Sequence, residues 1–380
     1  MESSSVNEAL RQTPLFYWLA LERVPGVGPI SIARLIDAFS SPEKVFQASA
    51  KEIQAKARLS ERVAENIAAF TPDRAAILKE MEIISELGAK VITRWDPDYP
   101  ENLKEIYDPP ALLFVRGRFV AEDSKAVAVV GTRNPTRYGT ELAEAITRDL
   151  VRAGITIVSG LARGIDTAAH WAALRHGGRT IGVLGCGIDV CYPKENKDLV
   201  TEIERCGAVI SEFRPQTGPL STNFYRRNRI VSGLTRGTLV VEAAPRSGSL
   251  ITAAHALDQN REVFALPGSV LNKRSWGPHH LLKQGAALVE SAQDIIDILF
   301  SQKDAAAPKP PAYTQIDHLE DLSDTARQVF DAVDLDPVHI DILCEHLGID
   351  AGRLSGVLLE LELRGLIRQH PGKMFSRSVT

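Results

Sequence analysis

Between residues 126 and 300 short apolar runs alternate with amphipathic stretches. The runs are AVAVVG (126–131), ITIVSG (155–160), RTIGVLGCG (179–187), AVISEF (208–213), TLVVEAA (238–244), EVFALPG (262–268) and AALVES (286–291). Their continuous Val/Ile/Leu character suits strands covered on both faces. Stretches such as GTELAEAITRDLVRAG and GIDTAAHWAALRHGG stand between them with helical periodicity. Strict alternation predicts a parallel, doubly wound α/β sheet with right-handed crossovers. Such a sheet binds ligands beyond the carboxyl ends of its strands.

The flanks read differently. In residues 15–70, Ile32, Leu35, Ile36 and Phe39 fall at helical spacing after Pro25-Gly26-Val27-Gly28-Pro29. Two glycines between short helices predict a helix-hairpin-helix, where backbone N–H groups can approach a phosphate. Only Arg34 and Lys44 are basic nearby, so a structural hairpin in a protein-contact module is the competing reading. EIQAKARLSERVAENIAAF has the pattern of a second copy without the glycines. Residues 80–120 form a connector, with strands expected in ISELGAKVITRW and ALLFVRG around a turn-rich segment. Beyond an Ala/Pro linker, three amphipathic pieces and LIRQHPGKMFSRS predict three helices and a hairpin, a winged helix. The expected boundaries are 1–78 for an all-helical domain, 79–301 for the sheet domain, 302–317 for the linker and 318–380 for the winged domain.

A length of 380 residues agrees with two or three domains. Hydrophobic residues at 44% and charged residues at 24% exclude a wholly disordered chain. The net charge of -4 signals neither nucleic acid nor a membrane surface, so any such partner must be sought in local charge. Four cysteines make no disulfide scaffold, and Cys186, Cys191, Cys206 and Cys344 lack metal-ligand spacing. MESSSVNEALRQ lacks a basic-then-apolar signal pattern, and no run of roughly 18 apolar residues spans a bilayer. A cytoplasmic protein without membrane insertion is expected.

The strand ends carry the chemistry. GTRNPTRYG, SGLARG and GCG fail the dinucleotide fingerprint on their glycines and on the ribose-binding acid, and no GxxxxGK[ST] occurs. No cofactor is expected. What these loops share is glycine and a cation: Gly131 with Arg133, Gly160 with Arg163, Lys194 and Lys197 in YPKENK, and Arg246-Ser247-Gly248-Ser249. Such a rim suits several anions in a row. Strand-to-helix turns need glycine anyway, so the case rests on their coincidence along one edge. Phe224-Tyr225-Arg226-Arg227-Asn228-Arg229 is the densest basic patch; from Arg214 to Arg246 there are six arginines and one acid, Glu242. Arginines interleaved with aromatics suit single-stranded nucleic acid, where bases stack and phosphates pair. The alternative is a solvated, salt-bridged helix face, but no acid stands at i±3 or i±4 to these arginines. Catalytic candidates are poor: Ser159, Asp166 and His170, or Glu242, Ser247, Ser249 and His255, form no nucleophile elbow. The winged segment is acidic, with twelve acids and two arginines from Asp317 to Glu362, which favours protein contact over DNA reading.

VAVVGTRNPTRYG, IVSGLARGIDTAAH, GCGIDVCYPKEN, NFYRRNRIVSGL and RSGSLITAAHALDQNREVFALPG together resemble the DNA-processing protein A family, DprA or Smf. DPDYPENLKEIYDPPALLFVRG and the N-terminal hairpin are similar to its members as well. The resemblance implies a sterile-alpha-motif-like N-terminal domain, an extended Rossmann-like domain and a winged C-terminal domain. It implies single-stranded DNA binding, protection of incoming strands in natural transformation, loading of the RecA recombinase, a homodimer and no enzymatic activity. Carried over by motif, the DNA site comprises Gly131, Arg133, Ser159, Gly160, Arg163, Lys194, Asn196, Arg227, Asn228, Arg229, Ser247, Gly248 and Ser249, with Lys197 an alternative to Lys194. The runner-up is an enzyme, since the fold also resembles phosphoribohydrolases of the lysine-decarboxylase-like group. Their PGGxGTxxE turn corresponds to PRSGSLITA, which lacks the general-base acid. A scaffold acting through the hairpin and winged domains is a third reading, compatible with DNA binding.

Overall fold

The computed structural model describes residues 14–300, 322–334 and 337–377. They form two compact units, divided between Leu299 and Phe300. The expected linker at 302–317 lies outside the described residues.

The first unit opens with helices Pro14–Leu21, Pro29–Phe39, Pro42–Gln47, Ala50–Ala57, Glu61–Ala68 and Arg74–Glu86. Ile32, Leu35, Ile36 and Phe39 are buried on one face, as their spacing predicts. The second hairpin copy is the pair Ala50–Ala57 and Glu61–Ala68, opened by a Ser49–Glu52 capping box. Leu19, Ile53 and Ile77 from these helices share one apolar cluster with Leu112 and Val209 from the sheet. The helical segment is therefore fused to one face of the sheet.

The sheet has nine strands: β1 (Lys90–Thr93), β2 (Leu112–Gly117), β3 (Ala126–Val130), β4 (Thr156–Ser159), β5 (Thr180–Val183), β6 (Ala208–Ser211), β7 (Gly237–Val240), β8 (Glu262–Ala265) and β9 (Ala287–Leu288). Their spatial order is β1-β2-β6-β5-β4-β3-β7-β8-β9. From β6 through β9 every pairing is parallel. The all-parallel expectation needs one correction: β2 pairs antiparallel with both β6 and β1, so the connector extends the sheet instead of merely joining domains. ISELG is the end of the Arg74–Glu86 helix and its exit turn, not strand; Gly88 at φ +61° terminates the helical path. All five residues of β3 are buried, which explains its unbroken apolar run.

Strand order reverses beside β3, with β4 on one side and β7 on the other. That switch point leaves a crevice past the strand ends. No helix among the described residues is long and apolar enough to cross a membrane.

The second unit has helices Asp324–Ala332, Ile340–Leu347 and Ala351–Leu363. Its sheet joins β10 (Val338–His339), β12 (Met374–Arg377) and β11 (Ile367–His370) in that order. Val329, Leu343, Leu354, Leu358 and Phe375 fill its own core. This is the expected winged helix.

Candidate functional site

A cavity of about 510 Å³ lies in the crevice at the switch point. It is bounded by Gly131, Thr132 and Arg133 after β3, Gly160 after β4, and Arg246 to Ser249 after β7. The Ser221–Gly233 helix supplies Phe224, Tyr225, Arg227 and Asn228 to its remaining wall.

The walls of the cavity are of two kinds. After β4 the backbone is already engaged. Asp166 Oδ2 accepts from the N–H groups of Gly160 at 3.1 Å and Ala162 at 3.3 Å. Arg227 Nη1 donates to the carbonyls of Gly160 and Val183. A Cβ on Gly160 would fall 2.3 Å from that guanidinium nitrogen, so only glycine fits. Burial raises the Asp166 carboxyl above its ordinary value, and Arg227 opposes the rise. Burial likewise lowers Arg227 to about 10, which leaves it charged at neutral pH. After β3 the next helix, Arg137–Arg152, is closed internally as well: Thr136 accepts from Gly139 N, and Glu242 Oε2 accepts from Thr136 N at 2.8 Å.

After β7 the groups stay open. Ser247 makes no side-chain cap on the Gly248–Asp258 helix. Among the described residues the N–H groups of Gly248 and Ser249 have no hydrogen-bond partner. Nothing lies within 4 Å of a Cβ built on Gly248. Asn228 Nδ2 donates to Gly248 O at 3.2 Å, and the Ser247 and Ser249 hydroxyls are 2.8 Å apart. This wall presents free N–H donors and the positive end of a helix, an arrangement that suits an anion.

Arg133 is exposed, and no carboxylate pairs with it among the described residues. Its guanidinium lies 6.0 Å from the centre of the Phe224 ring. Tyr192 packs against Phe224 with ring centres 5.5 Å apart. A smaller hollow joins Arg133, Arg163, Tyr192 and Phe224.

Eight of the thirteen site residues expected from sequence line the large cavity: Gly131, Arg133, Gly160, Arg227, Asn228, Ser247, Gly248 and Ser249. Arg163 borders the smaller hollow and is paired with Glu195. Four lie elsewhere. Ser159 is buried and donates to Val129 O at 2.6 Å, a link between strands. Asn196 is buried and donates to Leu161 O at 2.9 Å, pinning the loop after β4. Lys194 and Lys197 are both exposed and border neither cavity. Arg229 is buried, 2.6 Å from Glu212 and 3.2 Å from Asp108. Arg226 also reaches Glu212, at 3.0 Å. These two arginines therefore do have acidic partners, contributed by other elements where no i±3 or i±4 search finds them. Tyr192, Thr132 and Asp166 are cavity residues missing from the expected site. Phe224 and Tyr225 are missing too, although the aromatic–arginine run signalled them. The four cysteines are free, and no group of metal-ligating side chains occurs among the described residues. His170 is buried, with Nδ1 2.6 Å from Thr180 Oγ1, and burial drops it to about 3, so it stays neutral.

The family model for DNA recombination-mediator protein A matches residues 90–300, and that for the DprA winged helix domain matches 306–373. The chain belongs to the DprA/Smf family. Protein Smf of Synechocystis sp. is 34% identical, over 95% of this chain and 98% of that protein. DNA processing protein DprA of Streptococcus pneumoniae is 50% identical over 53% of this chain and 71% of its own. The X-ray structure of the pneumococcal protein matches at a TM-score of 0.66 and 39% identity, covering 76% of this chain and 99% of that one. A structure of DNA processing protein A from Helicobacter pylori, whose single-stranded DNA binding mode is described, matches at a TM-score of 0.50 and 30% identity, covering 56% and 95%. The family's sheet region thus contains every strand end that builds the cavity.

Proposed function

We propose that this chain binds single-stranded DNA along the carboxyl edge of its sheet, protects an incoming strand and loads the RecA recombinase onto it, working as a cytoplasmic homodimer. The observation that carries the reading is the pairing, in one cavity, of an unpaired guanidinium and free helix N–H groups with aromatic rings, Tyr192 and Tyr225 exposed and Phe224 half-buried. Arg133, Gly248 and Ser249 offer donors to phosphates, while Tyr192, Phe224 and Tyr225 offer faces to bases. The Helicobacter pylori relative's described single-strand binding supports the same ligand, and the names of the relatives support a role in DNA processing. Homodimerisation and RecA loading rest on the family resemblance. No catalytic step is assigned: Asp166 and Glu242, the carboxylates beside the cavity, both serve as acceptors for backbone N–H groups.

Fluorescence anisotropy of labelled oligonucleotides over a salt series tests the binding. Single strands should bind tighter than duplex. With about four phosphates neutralised, the slope of log K on log salt should be near -3. Equal or tighter duplex binding overturns the reading. For the recombinase step, strand exchange by RecA on a strand precoated with single-strand-binding protein should accelerate when the chain is added; an unchanged rate removes that part.

A further inference from the structure

The Ser221–Gly233 helix has a second cavity on its other side. It measures about 360 Å³ and lies between the N-terminal hairpin and the sheet. Glu22, Val27, Gly28 and Pro29 border it from the hairpin, and Asp108, Glu212, Arg214, Arg226 and Arg229 from the sheet side. Glu212 directly follows β6, so this cleft opens on the same carboxyl edge as the large cavity.

Its wall is polar and incompletely satisfied. The Glu212 and Arg229 side chains are 2% and 5% exposed, and one contact joins Glu212 Oε2 to Arg229 Nη2 at 2.6 Å. Glu212 Oε1 and Arg229 Nη1 have no hydrogen-bond partner. Neither does Glu22 Oε2, which is also shielded from solvent. Leaving such groups unmet is costly, which marks places where a ligand or water completes the structure. A carboxylate acceptor beside a guanidinium donor is complementary to a planar edge bearing an amino group next to a carbonyl or ring acceptor. Three arginines against Glu212 and Asp108 leave the rim tolerant of a polyanion. Glu22 does not upset that balance, because burial pushes its carboxyl up to about 8 and keeps it largely protonated at neutral pH.

We infer that this cleft is a second subsite for the bound strand, holding one nucleobase that carries an exocyclic amino group beside an acceptor, guanine, cytosine or adenine, against Glu212 and Arg229. The inference rests on the single-strand reading above. A strand whose phosphates lie in the large cavity crosses the helix beside Tyr225 and Asn223, which border the first and second cavities respectively. The amino group of the base donates to Glu212 Oε1, and its acceptor receives Arg229 Nη1. Thymine lacks the amino group, whereas adenine carries it beside its ring acceptors and fits the same pair.

The experiment walks a single guanine, cytosine, adenine or inosine through an otherwise all-thymine labelled strand and measures affinity for the full chain. Guanine, cytosine or adenine should tighten binding about five- to tenfold, the scale of one good base-edge pair. The gain should vanish when the substituted base lies near one particular end, because the strand then cannot reach the cleft. Inosine, which lacks the exocyclic amino group, should bind like thymine. Glu22→Leu, which replaces a polar group of the cleft with an apolar one, should abolish the gain. Affinities equal within twofold for every base overturn the inference. So does an inosine gain equal to that of guanine, or a gain undiminished in a folded Glu22→Leu variant. Because inosine alters the ligand alone, the test holds even if the variant fails to fold. An all-thymine strand that does not bind at all overturns the single-strand reading itself.

Discussion

After β4 the chain reads Ser-Gly-Leu-Ala-Arg-Gly, and before the Gly248–Asp258 helix it reads Ala-Pro-Arg-Ser-Gly-Ser. Both turns offer glycine, serine and arginine at a strand-to-helix junction. In the first, Asp166 takes the backbone N–H groups and Arg227 takes a carbonyl, while Arg163 turns to Glu195. In the second, the N–H groups of Gly248 and Ser249 and the space over Gly248 stay open. One turn is an internal brace and the other is left open. Residue type does not separate them; the distribution of buried carboxylates does.

The largest effect should come from breaking the brace. Arg227→Met leaves Asp166 buried without its counter-charge and should cost about 3–5 kcal/mol of stability, read by chemical denaturation. Gly160→Ala drives a methyl into the same guanidinium and should cost about 1–3 kcal/mol. Neither loss should appear with Gly248→Ala.

Arg133 stands on the open side. Arg133→Ala should weaken single-strand binding about ten- to a hundredfold, since charge-assisted bonds contribute roughly 1.5–3 kcal/mol. The melting temperature should not move, because no carboxylate partner is lost. The loss should be alike for different base sequences, as phosphates carry none of that information. Arg133→Lys should recover only part of it, because an ammonium cannot make the two-pronged contact. A variant that melts earlier but binds as before would place Arg133 among the braces.

Gly248→Ala sharpens the contrast. Its methyl has free space in the fold, so stability should stay within about 0.5 kcal/mol. The same methyl occupies the approach of a phosphate, and affinity should fall a few-fold. Unchanged affinity would show that the wall after β7 is not where the strand lies.

The smallest effect concerns the second unit. From Asp317 to Glu362 it carries twelve acids against two arginines, a poor surface for phosphates. A chain ending after Ser301 should keep single-strand affinity within about threefold, with its fold checked by circular dichroism. A tenfold loss would mean that the winged unit contributes to binding despite its charge.

The parallel core was legible because β3, β4, β5 and β6 are buried at every position, and strands covered on both faces have to be apolar throughout. The edge strands were harder. β1 shares its apolar run with the preceding helix, and periodicity over so few residues does not separate the two. At the candidate site, glycine and arginine at strand ends mark the edge where the large cavity lies. Arg229 lies buried and ion-paired outside the large cavity, which no sequence window shows because its partners Glu212 and Asp108 sit 17 and 121 positions away. Ser159 and Asn196 are buried and donate to backbone carbonyls, a use the sequence does not separate from ligand binding because short polar side chains serve both.

The sequence by itself determined the order of elements, the winged domain's acidity and the sheet edge at which the glycine- and arginine-bearing turns gather. Each follows from local periodicity or composition. Only the tertiary structure decided which cations and which N–H groups remain available. That depends on where buried Asp166, Glu242 and Glu212 come to rest, and an ion pair or a capped helix forms in space between residues that no sequence window holds together.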